Sequence, residues 1–200
     1  MKCILCHSAN THLLETIPKE NLNHLYHKSL RINTSSLIKN DLRYLHCKDC
    51  DLRFFTDTQD KVPTGDGAFY NSLNQLQWYY FSYKHEYDYV RDFITQDSSF
   101  QNPRILEVGC GKAAFAKYLP KNAQYVGLEL STQAKQMAQS QGIYIENITI
   151  EEFAKTHQDE FDISCSFQVL EHVSNPYEFL RAQIACLKSD KTIGGGGKSY

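Results

Sequence analysis

From Pro103 onward, apolar and polar residues fall into short blocks whose lengths suit strands and helices in alternation. Arg104-Ile105-Leu106-Glu107-Val108 reads as a buried strand, ended by Gly109-Cys110-Gly111. Lys112 to Leu119 reads as a helix stopped near Pro120, and Gln124 to Glu129 as a second strand. Ser131 suits the N-cap of a helix through Gln141, with Gly142 as its stop. Ile143 to Glu146 gives a short third strand, Glu151 to His157 a weak helix, and Phe161 to Phe167 a fourth strand. Asn175-Pro176 supplies a cap and a first-turn proline for a last helix to about Leu187. Such alternation builds a parallel sheet with right-handed crossovers.

The front of the chain has a different texture. Residues 1–60 carry two Cys-x-x-Cys pairs among short segments of mixed polarity and are expected to form a separate small module. Pro63-Thr64-Gly65-Asp66-Gly67 reads as a turn-rich linker, followed by the aromatic run Trp78-Tyr79-Tyr80-Phe81-Ser82-Tyr83. Tyr83, Tyr87 and Val90 recur at helical spacing, which predicts a helix over about 75–95 with an aromatic face. Residues 61–100 are thus linker and aromatic helix, and 101–188 the α/β part. The tail, 189–200, has four consecutive glycines that offer nothing to pack, and is expected to be disordered.

Composition narrows the class. The chain has 42% apolar residues and a net charge of −2, and residues 1–60 balance basic and acidic side chains. A surface devoted to nucleic acid or anionic lipid is therefore not expected. No apolar run suits a membrane span or a secretory signal, so a cytoplasmic location is expected. In that reducing setting seven cysteines point to metal binding or free thiols rather than disulfides. Cys3, Cys6, Cys47 and Cys50 form two thiolate pairs that together complete a tetrahedral set for structural zinc. Phe54 and Phe55 beside them are expected to pack the small core. Cys110, Cys165 and Cys186 read as small buried residues.

The strand ending in Gly109-Cys110-Gly111 makes a tight turn that a ligand can approach closely. Taken alone it also fits a dinucleotide. Glu107, two residues before the first glycine, favours a cationic ligand such as S-adenosyl-L-methionine and disfavours a pyrophosphate. Glu129, ending the next strand, is placed to accept hydrogen bonds from ribose hydroxyls.

These strings, with Phe167-Gln168-Val169-Leu170-Glu171-His172, resemble the class I S-adenosylmethionine-dependent methyltransferases over roughly residues 75–188. The resemblance implies an α/β fold with a Rossmann-like sheet, here about four parallel strands after the zinc-binding module. It also implies methyl transfer to a small-molecule acceptor. It places Glu107, Gly109, Cys110, Gly111 and Gln168 at the methionine end of the cofactor. Glu129 falls at the ribose, with Leu130, Thr149 and Ile150 around the adenine. An aspartate common near Thr149 in that family is absent. His172 is the one candidate base, with bracing of the next helix as its alternative role, and Tyr80 or Tyr83 could touch methionine or acceptor. The family's fifth strand is not found after Leu187, so truncation is expected. That would leave the fourth strand as an apolar edge open to self-association. The competing readings are an inactive, zinc-stabilised cofactor-binding remnant and an NAD-binding protein.

Overall fold

The computed structural model describes residues 1–65, 69, 72–73, 76 and 82–189. Most of the aromatic run and the glycine tail from residue 190 lie outside the described residues. The chain divides into two compact units, Met1–Phe81 with Leu170–Tyr177, and Ser82–Val169 with the remainder.

The first unit is built on an antiparallel sheet of β1 (Thr11–Ile17), β2 (Leu42–Cys47) and β3 (Arg53–Asp57), in that order, with α1 (Lys19–Leu30) between β1 and β2. Alternation along β2 and β3 puts Leu45, Cys47 and Phe54 on one face, where they bury with Cys3 and take Ile4, Leu5 and Leu52 against them. Phe55, expected in that core, points the other way. Strand parity sends it to the opposite face, where it stacks on its cross-strand partner Tyr44 at 4.7 Å between ring centroids. α1 buries none of its residues. Asn23 anchors it by accepting from the buried Thr34 hydroxyl at 2.7 Å and donating to the Ile38 carbonyl at 3.2 Å.

The second unit opens with α2 (Glu86–Gln96), whose buried Tyr87 and Ile94 face the core. The helix starts later than the aromatic spacing predicts, and Tyr83 lies before it, half exposed and donating to Asp88. The four-stranded parallel sheet runs β6 (Ile145–Glu146), β5 (Gln124–Leu128), β4 (Arg104–Val108), β7 (Ile163–Cys165). Ile105, Phe115 and Phe167 join Tyr87 and Ile94 in one cluster. A second cluster, Cys110, Ala113, Ala138 and Ile145, lies under α3 (Thr132–Gln139). A short α4 (Ile150–Phe153) and a final α5 (Pro176–Cys186) complete the order.

Two local departures have physical reasons. The segment expected as a helix from Lys112 to Leu119 forms only a 3-10 turn, Ala114–Tyr118. Ala113 is left-handed (φ 54°) and Pro120 follows closely, so too few residues remain for α-type bonds. At the other end, Leu187 returns beside Phe161 in a parallel bridge, and the Lys188 N–H donates to the Phe161 carbonyl at 2.8 Å. The first residue of the expected open edge is therefore covered. Ser189 is likewise tied down, its N–H and hydroxyl both donating to Asp159.

Candidate functional site

β4 is buried on both faces, as a central parallel strand must be, yet its fourth residue is a glutamate. Glu107 is 2% exposed. Its Oε2 accepts from the Tyr125 hydroxyl. Burial pushes its carboxyl up to about 7, and the Tyr125 hydroxyl and nearby Lys84 ammonium offset only part of that rise. Lys84 itself donates from Nζ to the Phe167 carbonyl at 2.9 Å. The same dry surroundings hold the Cys110 and Cys165 thiols well above their usual range, which favours the neutral thiol over the thiolate.

Directly after β4 the backbone turns through Gly109 (φ 72°), Gly111 (54°) and Ala113 (54°). A Cβ on Gly109 would lie 2.6 Å from a Val169 methyl, so this glycine meets both a conformational and a space requirement. The turn is fixed to the end of β5: the N–H groups of Gly109 and Cys110 donate to the Leu128 carbonyl at 2.8 and 3.0 Å.

Glu129 lies just past β5 and organises its surroundings. Its Oε2 accepts from Gly111 N–H at 2.9 Å and its Oε1 from Ser131 N–H at 2.7 Å, while its carbonyl accepts from Asn147 at 2.7 Å. Each carboxylate oxygen keeps lone-pair capacity for a hydroxyl donor. Leu130 beside it is 64% exposed, a large apolar side chain offered to solvent at the sheet's carboxyl edge. Thr149 caps α4, its hydroxyl accepting from Glu152 N–H at 3.3 Å. Ile150 is 2% exposed, so its side chain belongs to the core and only its backbone could meet a ligand. Gln168 is left-handed (φ 59°), with its amide 3.3 Å from Glu86. Glu107, Gly109, Gly111 and Glu129 are thus brought to one edge of the sheet.

His172 sits in a 3-10 turn of the first unit (Leu170–His172), partly exposed, with Nε2 4.0 Å from Glu171. Tyr80 lies outside the described residues.

The four N-terminal cysteines converge. Their sulfurs all lie within 4.8 Å of one another, with Cys3 to Cys50 at 3.6 Å and Cys6 to Cys47 at 3.5 Å. Tetrahedral Zn–S bonds of about 2.3 Å imply sulfur separations near those values. The two pairs sit in matching turns. The N–H of Cys3 donates to the Ser8 carbonyl and that of Cys47 to the Leu52 carbonyl, both at 2.8 Å, and His7 (φ 60°) and Asp51 (62°) are left-handed. Burial raises the Cys47 thiol, but the backbone N–H groups of Cys50 and Asp49 together with the Cys6 and Cys50 side chains bring it down to about 7. His46 pairs with Asp51 at 2.5 Å, and no histidine joins the sulfur cluster among the described residues.

Sequence reasoning missed Tyr125, Gly127 and Lys84. No sequence signal marks them, because the pairing that sets Glu107 opposite Gly127, two residues after Tyr125, exists only once the strands are in register.

Residues 74–193 match the family model described as Methyltransferase domain, and the chain belongs to that family. A ubiquinone biosynthesis O-methyltransferase of Hydrogenovibrio crunogenus is 29% identical over 160 residues, covering 70% of this chain and 66% of the relative. The protein of the same name from Aromatoleum aromaticum is 31% identical over 100 residues, covering 46% and 43%. The chain spans about half to two-thirds of the length of these curated relatives. Among solved structures, the YcgJ protein of Bacillus subtilis is 21% identical over 54% of this chain and 48% of that one, with a TM-score of 0.46. The plantazolicin methyltransferase BpumL, in complex with SAH, is 20% identical over 51% and 41%, with a TM-score of 0.45.

Proposed function

We propose that the chain binds S-adenosyl-L-methionine at the carboxyl edge of β4 and β5 and passes its methyl group to a hydroxyl of a small-molecule acceptor. One observation carries the reading: a glutamate buried in the central strand adjoins a left-handed glycine turn, with a second carboxylate at the end of the neighbouring strand. The bare backbone of Gly109 and Gly111 leaves room for close approach, and Glu107 supplies the charge that a sulfonium and ammonium require. Glu129 serves the ribose hydroxyls, and the exposed Leu130 is a surface for the adenine. The backbone near Thr149 and Ile150 meets the base edge, and Gln168 the methionine end.

When bound, the cofactor is an already activated methyl donor, so the chain's task is to orient and to exclude water. The choice of hydroxyl acceptor is supported by the O-methyltransferase relatives. Calorimetry tests the reading: S-adenosylmethionine and S-adenosylhomocysteine should bind, Glu129→Ala should weaken both about ten-fold or more, and NAD should not bind. Binding of NAD alone would overturn it.

For the first unit we propose one structural zinc held by Cys3, Cys6, Cys47 and Cys50. Four thiolates leave no open position, so the metal stabilises the module rather than activating water. A reducing, cytoplasmic setting keeps these thiols available. Metal analysis should find one zinc per chain, lost in Cys47→Ser; unchanged zinc content in that variant would refute the assignment.

A further inference from the structure

Tyr125 reaches Glu107 by an arrangement that requires a glycine. Ile105 pairs with Tyr125 and Glu107 with Gly127 in the parallel register, so all four residues share a face of the sheet. A side chain on Gly127 would collide with the phenol where it now lies: its Cβ would be 2.9 Å from the Tyr125 hydroxyl and 2.7 Å from the Cys110 sulfur. With that space open, the phenol leans along β5 and donates to Glu107 Oε2. We infer that Tyr125 is a positioning residue for the cofactor's methionine end, aiming and charging the Glu107 carboxylate through the gap left by Gly127.

The inference rests on the cofactor reading above and extends it to a residue that need touch no ligand. Other groups face Glu107 from each neighbouring element: Lys84 ahead of α2, Tyr87 on α2, Cys110 in the turn, Glu129 beyond β5 and Cys165 on β7. Tyr125 donates to the carboxylate directly, and the Lys84 ammonium favours its ionised form through charge. A hydrogen bond to an ionised oxygen favours the charged form. A cation at the site gains from Glu107 only when it is ionised. Removing the phenol should therefore leave Glu107 protonated to higher pH and weaken cofactor binding most where that proton persists.

The test has an arm without cofactor. Carbon NMR of the Glu107 carboxyl should show Tyr125→Phe raising its titration midpoint by about one pH unit, the scale of one charge-assisted hydrogen bond. An unchanged midpoint overturns the inference. Calorimetry with S-adenosylmethionine between pH 6 and 8.5 should show the variant binding about ten-fold weaker near pH 7, with the deficit closing at higher pH. In a Glu107→Gln background the same substitution should change affinity little. A loss equal at every pH and in both backgrounds would mark Tyr125 as packing only and overturn the inference. If Tyr125→Phe does not fold, the wild-type chain decides: its Tyr125 hydroxyl proton should be NMR-visible and slow to exchange, and a rapidly exchanging one overturns the inference. A wild type that binds no cofactor at any pH defeats the cofactor reading and this role with it, whereas equal binding by both proteins defeats this role alone.

Discussion

A carboxyl group folded into an apolar sheet keeps a proton that the unfolded chain has already released. Glu107 is pushed up to about 7 by burial, whereas an unfolded glutamate titrates near 4.3 (about). Between those values the unfolded state binds fewer protons, so stability falls as pH rises, and the full penalty is present above pH 7. We expect the cofactor-free chain to be less stable at pH 8 than at pH 5 by a term that Glu107→Gln removes, on the order of 3 kcal/mol. Denaturant titration of both proteins at the two pH values measures it, and parallel pH profiles would contradict it. A second residue-scale expectation concerns Gly109. Gly109→Ala should cost about 2 kcal/mol or more, from left-handed strain and the 2.6 Å approach to Val169. Adding Val169→Ala should recover the steric part and leave the strain, which equilibrium unfolding of Gly109→Ala, Val169→Ala and the double variant can resolve. Glu107 and Gly109 could be singled out in the sequence because an acid before a glycine turn is conspicuous within an apolar strand. Tyr125 could not, because its role exists only once β4 and β5 are in register.

At the scale of elements, helix starts are legible where a capping residue or first-turn proline marks them, as at Ser131 and Pro176, and not where only aromatic spacing does, as before α2. Ser131 stands before α3 with an extended backbone, and its hydroxyl accepts from Ala134 N–H at 3.2 Å, as its residue type predicts. Gly142 (φ 75°) lies beyond the end of α3 with nothing within 4 Å of an added Cβ, consistent with a stop signal. α3 nevertheless ends at Gln139, and a 3-10 turn replaces the helix after Gly111, where the left-handed Ala113 and Pro120 leave too short a run. Strand order β6-β5-β4-β7 follows from the alternation of elements, but the return of Leu187 to Phe161 does not. The polar run after Leu187 carries no strand periodicity, and Lys188 reaches its place partly through the Asp162 carboxylate at 2.7 Å. Ser131→Ala should destabilise the chain by about 1 kcal/mol. Amide exchange should show the loss in the first turn of α3, and unaltered exchange there would deny the cap its role.

At the scale of the whole molecule, the hydrophobic clusters given by the described residues share no member, and this bears on how loss of the proposed zinc should spread. Cys3, Leu45, Cys47 and Phe54 form the cluster of the first unit, and two of these four are also members of the sulfur set. The clusters of the second unit draw on Tyr87, Ile94, Ile105, Phe115 and Phe167, and on Cys110, Ala113, Ala138 and Ile145, none of which is shared. The two cysteine pairs are far apart in sequence, and the long loop between them is what made the metal set legible only as a pattern. β1, α1 and β2 fill that loop and bring Cys47 back beside Cys6. Without metal, the thiolates would repel or take up protons, and Cys3 and Cys47 would be lost as fixed points of the cluster they share with Leu45 and Phe54. Structural zinc contributes roughly 10–16 kcal/mol in comparable small sites. Chelation should therefore strip amide protection from β1, β2 and β3 while β4 and β5 keep theirs, and re-adding zinc should restore the pattern. Hydrogen exchange followed by mass spectrometry reads both halves in one experiment. Loss of protection spreading equally through β4 and β5 would show that the two units fold as one cooperative body, and full retention in β1–β3 would show that the sulfurs need no metal to hold their sheet.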